Sequence, residues 1–220
     1  MDTPLSGQIV NLLAAFLLLV AFAMLSQRRV LSLVRLLAWQ GAALAASTLV
    51  VAYTTGHTGL YVSAAITVVL KVIVIPLVLH RAINRLDVRW DVETLINIPT
   101  TMLVGIALVI FAFALATPIS QMAGTLTRST LAIALASVLL SFLMMIVRRK
   151  AIPQVIGFLA MENGLLFAAT SATYGMPLVW ELGVALDVLV ATFIFGIFFF
   201  QIREQFDSLD IRHMEKLKED

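Results

Sequence analysis

Long apolar runs separated by short polar breaks dominate this chain. The runs lie at 9–25, 33–53, 60–79, 98–117, 129–147, 155–172 and 178–202. Each is close to the about 20 residues that an α-helix needs to cross a hydrocarbon core about 30 Å thick. The breaks carry turn-forming residues: the stretch from Thr54 to Gly59, Thr117-Pro118, and Tyr174-Gly175-Met176-Pro177. The pattern predicts an all-α integral membrane protein of seven spans, with residues 1–220 forming one transmembrane domain. No loop is long enough for a separate soluble domain. The longest, 80–97, interleaves Arg85, Asp87, Arg89, Asp91 and Glu93 and reads as a solvated connector. In the tail 204–220, Phe206, Leu209, Ile211, Met214 and Leu217 recur among charges. That spacing suits a short amphipathic helix at the membrane interface.

Basic residues orient the spans. Alternate loops hold Arg28, Arg29 and Arg35, then Arg81, Arg85 and Arg89, then Arg148, Arg149 and Lys150, and the tail adds Arg203, Arg212, Lys216 and Lys218. The opposite loops hold only Arg128. The positive-inside rule therefore predicts an external N-terminus and a cytoplasmic C-terminus. Asp2 precedes the first run and Arg28-Arg29 follows it. That is the reverse of a signal peptide, so the run reads as a retained helix.

Composition agrees and narrows the chemistry. The chain is 61% hydrophobic and 13% charged, with a mean hydropathy of +1.01. Soluble domains are about 45–50% apolar and about 25% charged. The net charge of +2 does not signal nucleic acid, because the basic residues follow topology. The chain contains no cysteine. It therefore cannot hold a disulfide, an iron–sulfur cluster or cysteine-ligated nickel or zinc. His57, His80 and His213 are scattered and suggest no haem or metal site. The expectation is a chain with no cofactor, metal or catalytic centre of its own.

Against this background three charges stand out inside the runs: Lys71, Glu162 and Asp187. A charge at bilayer depth costs roughly 2.5–3.5 kcal/mol even on the lenient insertion scale. At about 1.5 Å of rise per residue, Lys71, Glu162 and Asp187 lie about 15, 18 and 24 Å from the cytoplasmic edge. Desolvation disfavours every one of these charges, and mutual pairing opposes it. A carboxylate balanced between the two can load and release a proton near neutral pH. Asn163, beside Glu162, can hydrogen-bond a neighbouring span or hold a water. Glu181, beside Trp180 at the outer interface, can reach water and is a further candidate. A static ion pair, Lys71 with Glu162 or with Asp187, is the plain alternative. Pro76 frees a backbone carbonyl one turn earlier and is expected to kink the third span. Gln40, Ser47, Thr48, Ser137 and Ser141 are expected to hydrogen-bond between helices.

The run Gly157-Phe158-Leu159-Ala160-Met161-Glu162-Asn163-Gly164 resembles the signature helix of the hydrogenase-4 component E family. Ser63-Ala64-Ala65 through Thr67, Lys71 and Pro76 resembles that family's lysine-bearing third helix. Glu181-Leu182-Gly183-Val184-Ala185-Leu186-Asp187 resembles its last helix, and Leu209-Asp210 with Leu217-Lys218 its tail. The region 126–203 also resembles subunit K of the proton-pumping NADH:quinone oxidoreductase (complex I) and the small C subunit of multisubunit sodium/proton antiporters. Glu162 matches the first of two membrane glutamates in the K subunit. Asp187 stands in for the second, one methylene shorter. The four spans within 1–125 have no such match.

The resemblance implies a non-redox membrane-arm subunit of a formate hydrogenlyase-type, group 4 nickel–iron hydrogenase in a bacterial or archaeal inner membrane. Implied partners are antiporter-like membrane subunits, a quinone-site-like membrane subunit, a peripheral nickel–iron and iron–sulfur arm, and lipid. Glu162, Asp187, Lys71, Glu181 and Asn163 are the implied proton-path residues. A cation/proton antiporter subunit and a structural spacer stay open. A retinal protein is disfavoured, because such proteins carry the Schiff-base lysine on the last helix, where this chain has Asp187.

Overall fold

A computed structural model describes residues 5–85, 94–122 and 127–173. The described residues form α1 (Leu5–Ser26), α2 (Val30–Thr55), α3 (Thr58–Thr67), a π-helical segment (Val68–Val74), α4 (Ile75–Arg85), α5 (Ile98–Met122), α6 (Thr127–Val147) and α7 (Ala151–Thr173). Six helices are long and apolar enough to cross a membrane, with α3, the π segment and α4 together making the third. They coincide with the first six of the seven predicted runs. The seventh run, 178–202, with Glu181 and Asp187, lies outside the described residues, as do the tail and residues 86–93 of the 80–97 connector.

Local chemistry explains most of the helix ends. Gly56 takes φ +70° and its N–H donates to the Ala52 carbonyl, closing α2. A left-handed residue is a common helix stop, and glycine adopts it without penalty. Pro99 and Pro153 fall in the first turns of α5 and α7, where a missing N–H costs nothing. Pro118 departs from expectation. Sequence places a break there, yet α5 runs through it to Met122. A proline at that place removes the one donor to the Ala114 carbonyl, and only four helical residues follow it.

The hairpin of α6 and α7 is packed backbone to backbone. A Cβ on Gly157 would lie 2.9 Å from Met145 Cγ and 3.3 Å from the Ser141 carbonyl oxygen. One on Gly164 would lie 3.0 Å from Val138 Cγ2. Small residues allow such approach between membrane helices, where packing rather than hydrophobicity drives association. Around this hairpin, α1 and α2 complete a core containing Leu25, Leu33, Leu37, Leu140, Met144 and Ile156. By contrast α5 packs against α6 and α1 and turns Leu103, Ile106 and Ile110 outward. Such a face is stable against lipid tails.

Arg148, just beyond the end of α6, closes one end of the bundle. Its Nη2 donates to the carbonyls of Met24, Leu25 and Gln27 at 3.1, 2.9 and 3.0 Å. These are the exposed acceptors at the C-terminus of α1, where the helix dipole favours a cation. The Arg148 carbonyl accepts from Gln154 Nε2 at 2.8 Å. Residue 148 also bridges Thr94, and the Leu95 N–H donates to Val147. Sequence reading uses Arg148 only as one of the loop cations that set orientation, whereas the side chain is 1% exposed and built into the bundle. Desolvation pushes its pKa down to about 10, so it keeps its charge at neutral pH.

Three substitutions test these contacts. Arg148→Ala should lower unfolding stability in detergent by about 3 kcal/mol, since it strips charged donors from buried carbonyls. Gly164→Val should cost about 1–3 kcal/mol by overpacking. Gly59→Ala meets open space and should change stability by no more than about 0.5 kcal/mol. Thermal melts of the purified variants would separate the three, and equal effects at Gly164 and Gly59 would refute the packing argument.

Candidate functional site

The second predicted cation, Lys71, sits in the middle of the π segment. There the Ile75 N–H donates five residues back, to the Leu70 carbonyl. Pro76 follows at once and cannot donate, so the ladder is loose where the lysine projects. π-turns inside α-helices are often found at functional positions. Where sequence expects a kink from Pro76, the described residues show a widened turn just before it. Gly41 of α2 backs this segment: a Cβ there would lie 3.0 Å from Lys71 Cβ and 3.4 Å from the Lys71 carbonyl oxygen. Glycine lets the two backbones approach at that point.

From this position the ammonium reaches α7. Lys71 Nζ lies 3.1 Å from Glu162 Oε1 and donates to Asn163 Oδ1 at 2.9 Å. Asn163 Nδ2 donates in turn to Gln40 Oε1 on α2 at 3.4 Å. Lys71 is 3% exposed, Glu162 and Asn163 1%, and Gln40 0%. Three spans thus contribute to one polar cluster, with Glu162 and Asn163 adjacent on the α7 backbone and gripped by one cation. Of the two pairings that sequence leaves open, the described residues contain the one between Lys71 and Glu162. Asn163 meets its expectation by bonding to two neighbouring spans.

The hydroxyl residues behave differently from expectation. Thr48 Oγ1 donates to the Leu44 carbonyl, Ser137 Oγ to Ile133 and Ser141 Oγ to Ser137. These bonds lie within a helix. A short hydroxyl side chain reaches its own backbone four residues back more easily than a neighbouring helix. Only the longer amide of Gln40 spans the gap, and Ser47 is simply buried. Among the described residues no three His, Asp or Glu side chains gather as around a metal ion.

A multi-pass helical membrane protein with a buried ion pair and amide relay is the class that fold and site define. Over 212 residues, 96% of either chain, the sequence is 31% identical to uncharacterized protein Rv0085 of Mycobacterium tuberculosis. The chain belongs to the family of that protein. It is also 23% identical over 159 residues to hydrogenase-4 component E of Escherichia coli K12, covering 72% of this chain and 74% of the other. The Shigella flexneri protein of the same name matches to the same extent. No family model matches the chain, and no solved structure matches it.

Removing one partner from a buried pair strands the other charge, whereas removing both can be nearly neutral. Lys71→Met should therefore lower stability by about 3–5 kcal/mol, and Lys71→Met combined with Glu162→Gln should recover most of that loss. A double-mutant cycle on thermal unfolding in detergent measures the coupling, and additive losses would mean that the two side chains do not interact.

Proposed function

We propose that this chain is a non-redox membrane-arm subunit of a group 4 nickel–iron hydrogenase complex of the formate hydrogenlyase type. In this reading its buried carboxylates carry protons driven by electron transfer elsewhere in the complex. The observation that carries the reading is the Lys71–Glu162 pair, 3.1 Å apart and buried with Asn163 and Gln40. Well-packed apolar residues hold helices together as firmly as a buried ion pair. Intramembrane ionisable residues read first as functional. The partial similarity to hydrogenase-4 component E supports the choice of complex.

Glu162 is the loading site and Lys71 its movable countercharge. When the ammonium withdraws, the carboxylate is left alone in a dry site and takes up a proton. When the ammonium returns, the charged form is favoured and the proton is released. The loosened backbone of the π segment suits Lys71 to that movement. Asp187 and Glu181, outside the described residues, are proposed as further stations on the path. Antiporter-like subunits and a quinone-site-like subunit would lie alongside in the inner membrane. A peripheral nickel–iron and iron–sulfur arm would sit on the cytoplasmic side, with the N-terminus of this chain external.

Two experiments test the reading. Tagged protein purified from its own membranes in mild detergent should bring nickel–iron and iron–sulfur proteins together with antiporter-like subunits. Antiporter-like subunits alone would favour an ion exchanger, and a monodisperse chain alone would end the subunit reading. Glu162→Gln leaves Lys71 hydrogen-bonded to Asn163, so it should still assemble, though less stably because the ammonium loses its countercharge, and should weaken ion coupling. Unchanged coupling in the assembled variant would make the cluster a structural tie.

A further inference from the structure

Four helices converge at the end of the bundle opposite Arg148 and enclose a cavity of about 290 Å³. Ser6, Asn11, Thr54, Thr55, Thr130 and Ser171 supply its polar lining. Val10, Val50 and Val51 line much of the rest. A half-open cavity of this size, with several hydrogen-bonding groups in its wall, has room for several waters.

One helical turn deeper, the character of the same helices changes abruptly. Asn11 gives way to Ala14 and Leu17 on α1, Thr130 to Ala134 on α6, and Ser171 to Phe167 on α7. On α2, Val51 gives way to Leu44 two turns further in. Ala14, Leu17, Leu44, Ala134 and Phe167 form one compact apolar cluster. Four of the five, Ala14, Leu17, Ala134 and Phe167, are 0% exposed.

A turn deeper again, polarity returns. Asn163 lies four residues from Phe167, Gln40 four from Leu44 and Ser137 three from Ala134, all buried. The cavity floor is thus about two turns, or about 11 Å, from the ion-pair cluster, with a single apolar layer between them. Gln40 Nε2, fully buried, meets no acceptor among the described residues, and such donors are normally satisfied by water. Toward Arg148 the layering is very different. Ile75, Leu79 and Ile83 on α4, Leu37, Leu33 and Val30 on α2, and Leu159, Ile156 and Ile152 on α7 all belong to the main apolar core. That side is closed over several turns.

We infer that the cavity is the mouth of a water-filled half-channel that leads to the Lys71–Glu162 cluster, and that Phe167 with Leu44 and Leu17 is its hydrophobic gate. The permeant is water and the proton it carries. Narrow apolar constrictions gate by dewetting, so small changes in packing switch them between dry and wet. When the gate is wet, a hydronium in the cavity hands one proton through the water column to the Glu162 carboxylate, leaving water and a carboxylic acid. The reverse transfer returns them. In the orientation proposed above, this route opens to the outside. The inference rests on the proton-path reading for its purpose, but not for its geometry.

The absence of cysteine makes the test clean, since an introduced thiol is the only one on the chain. Ser171→Cys places a thiol in the cavity, and Ser137→Cys places one just below the gate. A small charged methanethiosulfonate is added to right-side-out membranes holding the assembled protein. Ser171→Cys should label readily and Ser137→Cys slowly. In a Phe167→Ala background, Ser137→Cys should label about tenfold faster or more, because labelling tracks the population of the open state. Leu44→Ala should act in the same direction, so the result does not hang on one variant that fails to assemble.

Three results would overturn the inference. They are equal labelling at both thiols with the gate intact, no labelling of Ser171→Cys, or no acceleration at Ser137→Cys in an assembled gate variant. Because the reagent reads water and not protons, it is independent of ion coupling in Glu162→Gln. Gated labelling beside undiminished coupling in that variant would sink the proton path and leave the half-channel standing.

Discussion

An ammonium and a carboxylate 3.1 Å apart constrain almost everything around them. Neither charge survives alone in a hydrocarbon layer, so the helices that bear them must stay in register. The Lys71 side chain fixes how the third span sits on α7. Gly41 fixes how closely α2 can pass, and Asn163 ties α2 into the same knot through Gln40. If the pair is removed, three spans lose the polar contact that sets their relative depth. Apolar packing alone holds depth weakly, because lipid tails solvate a shifted helix nearly as well.

The bundle is therefore best seen as layers rather than as separate helices. Moving inward from the open end, it presents a cavity of mixed lining, a thin apolar layer, the ion-pair cluster, a thick apolar core and the Arg148 cap. The two cations do opposite work. Arg148 saturates the end of a helix and is held by carbonyls that cannot change charge. Lys71 faces a carboxylate that can, from a stretch of backbone with a relaxed hydrogen-bond ladder. In the function proposed above, the first cation stays and the second moves.

Much of this was legible in the sequence. Spacing alone located the first six hydrophobic runs, because span length is set by the bilayer and not by partners. Lys71 and Glu162 were conspicuous for the same reason: cost marks them. The choice of Glu162 as a partner for Lys71 was not legible, since depth along a helix says nothing about which face a residue occupies. Arg148 was hidden, because Arg149 beside it has the same chemistry and only tertiary contact with α1 tells them apart. The hydroxyl residues misled because burial of a serine does not reveal whether its proton goes to its own helix or another. Pro118 misled because a proline stops a helix only when several turns would have to follow it.

The Arg148 cap also bears on how the chain is made. The carbonyl of Met24 and the guanidinium that satisfies it are 124 residues apart. At a synthesis rate of about 5–20 residues per second, roughly 6–25 s separate their emergence from the ribosome. Throughout that interval α1 can pack on α2, yet the carbonyls at its end stay uncapped. Only when α6 is in place does Arg148 close over them. The end of α1 is therefore fastened long after the helix itself is made, and nascent chains halted before residue 148 leave it open.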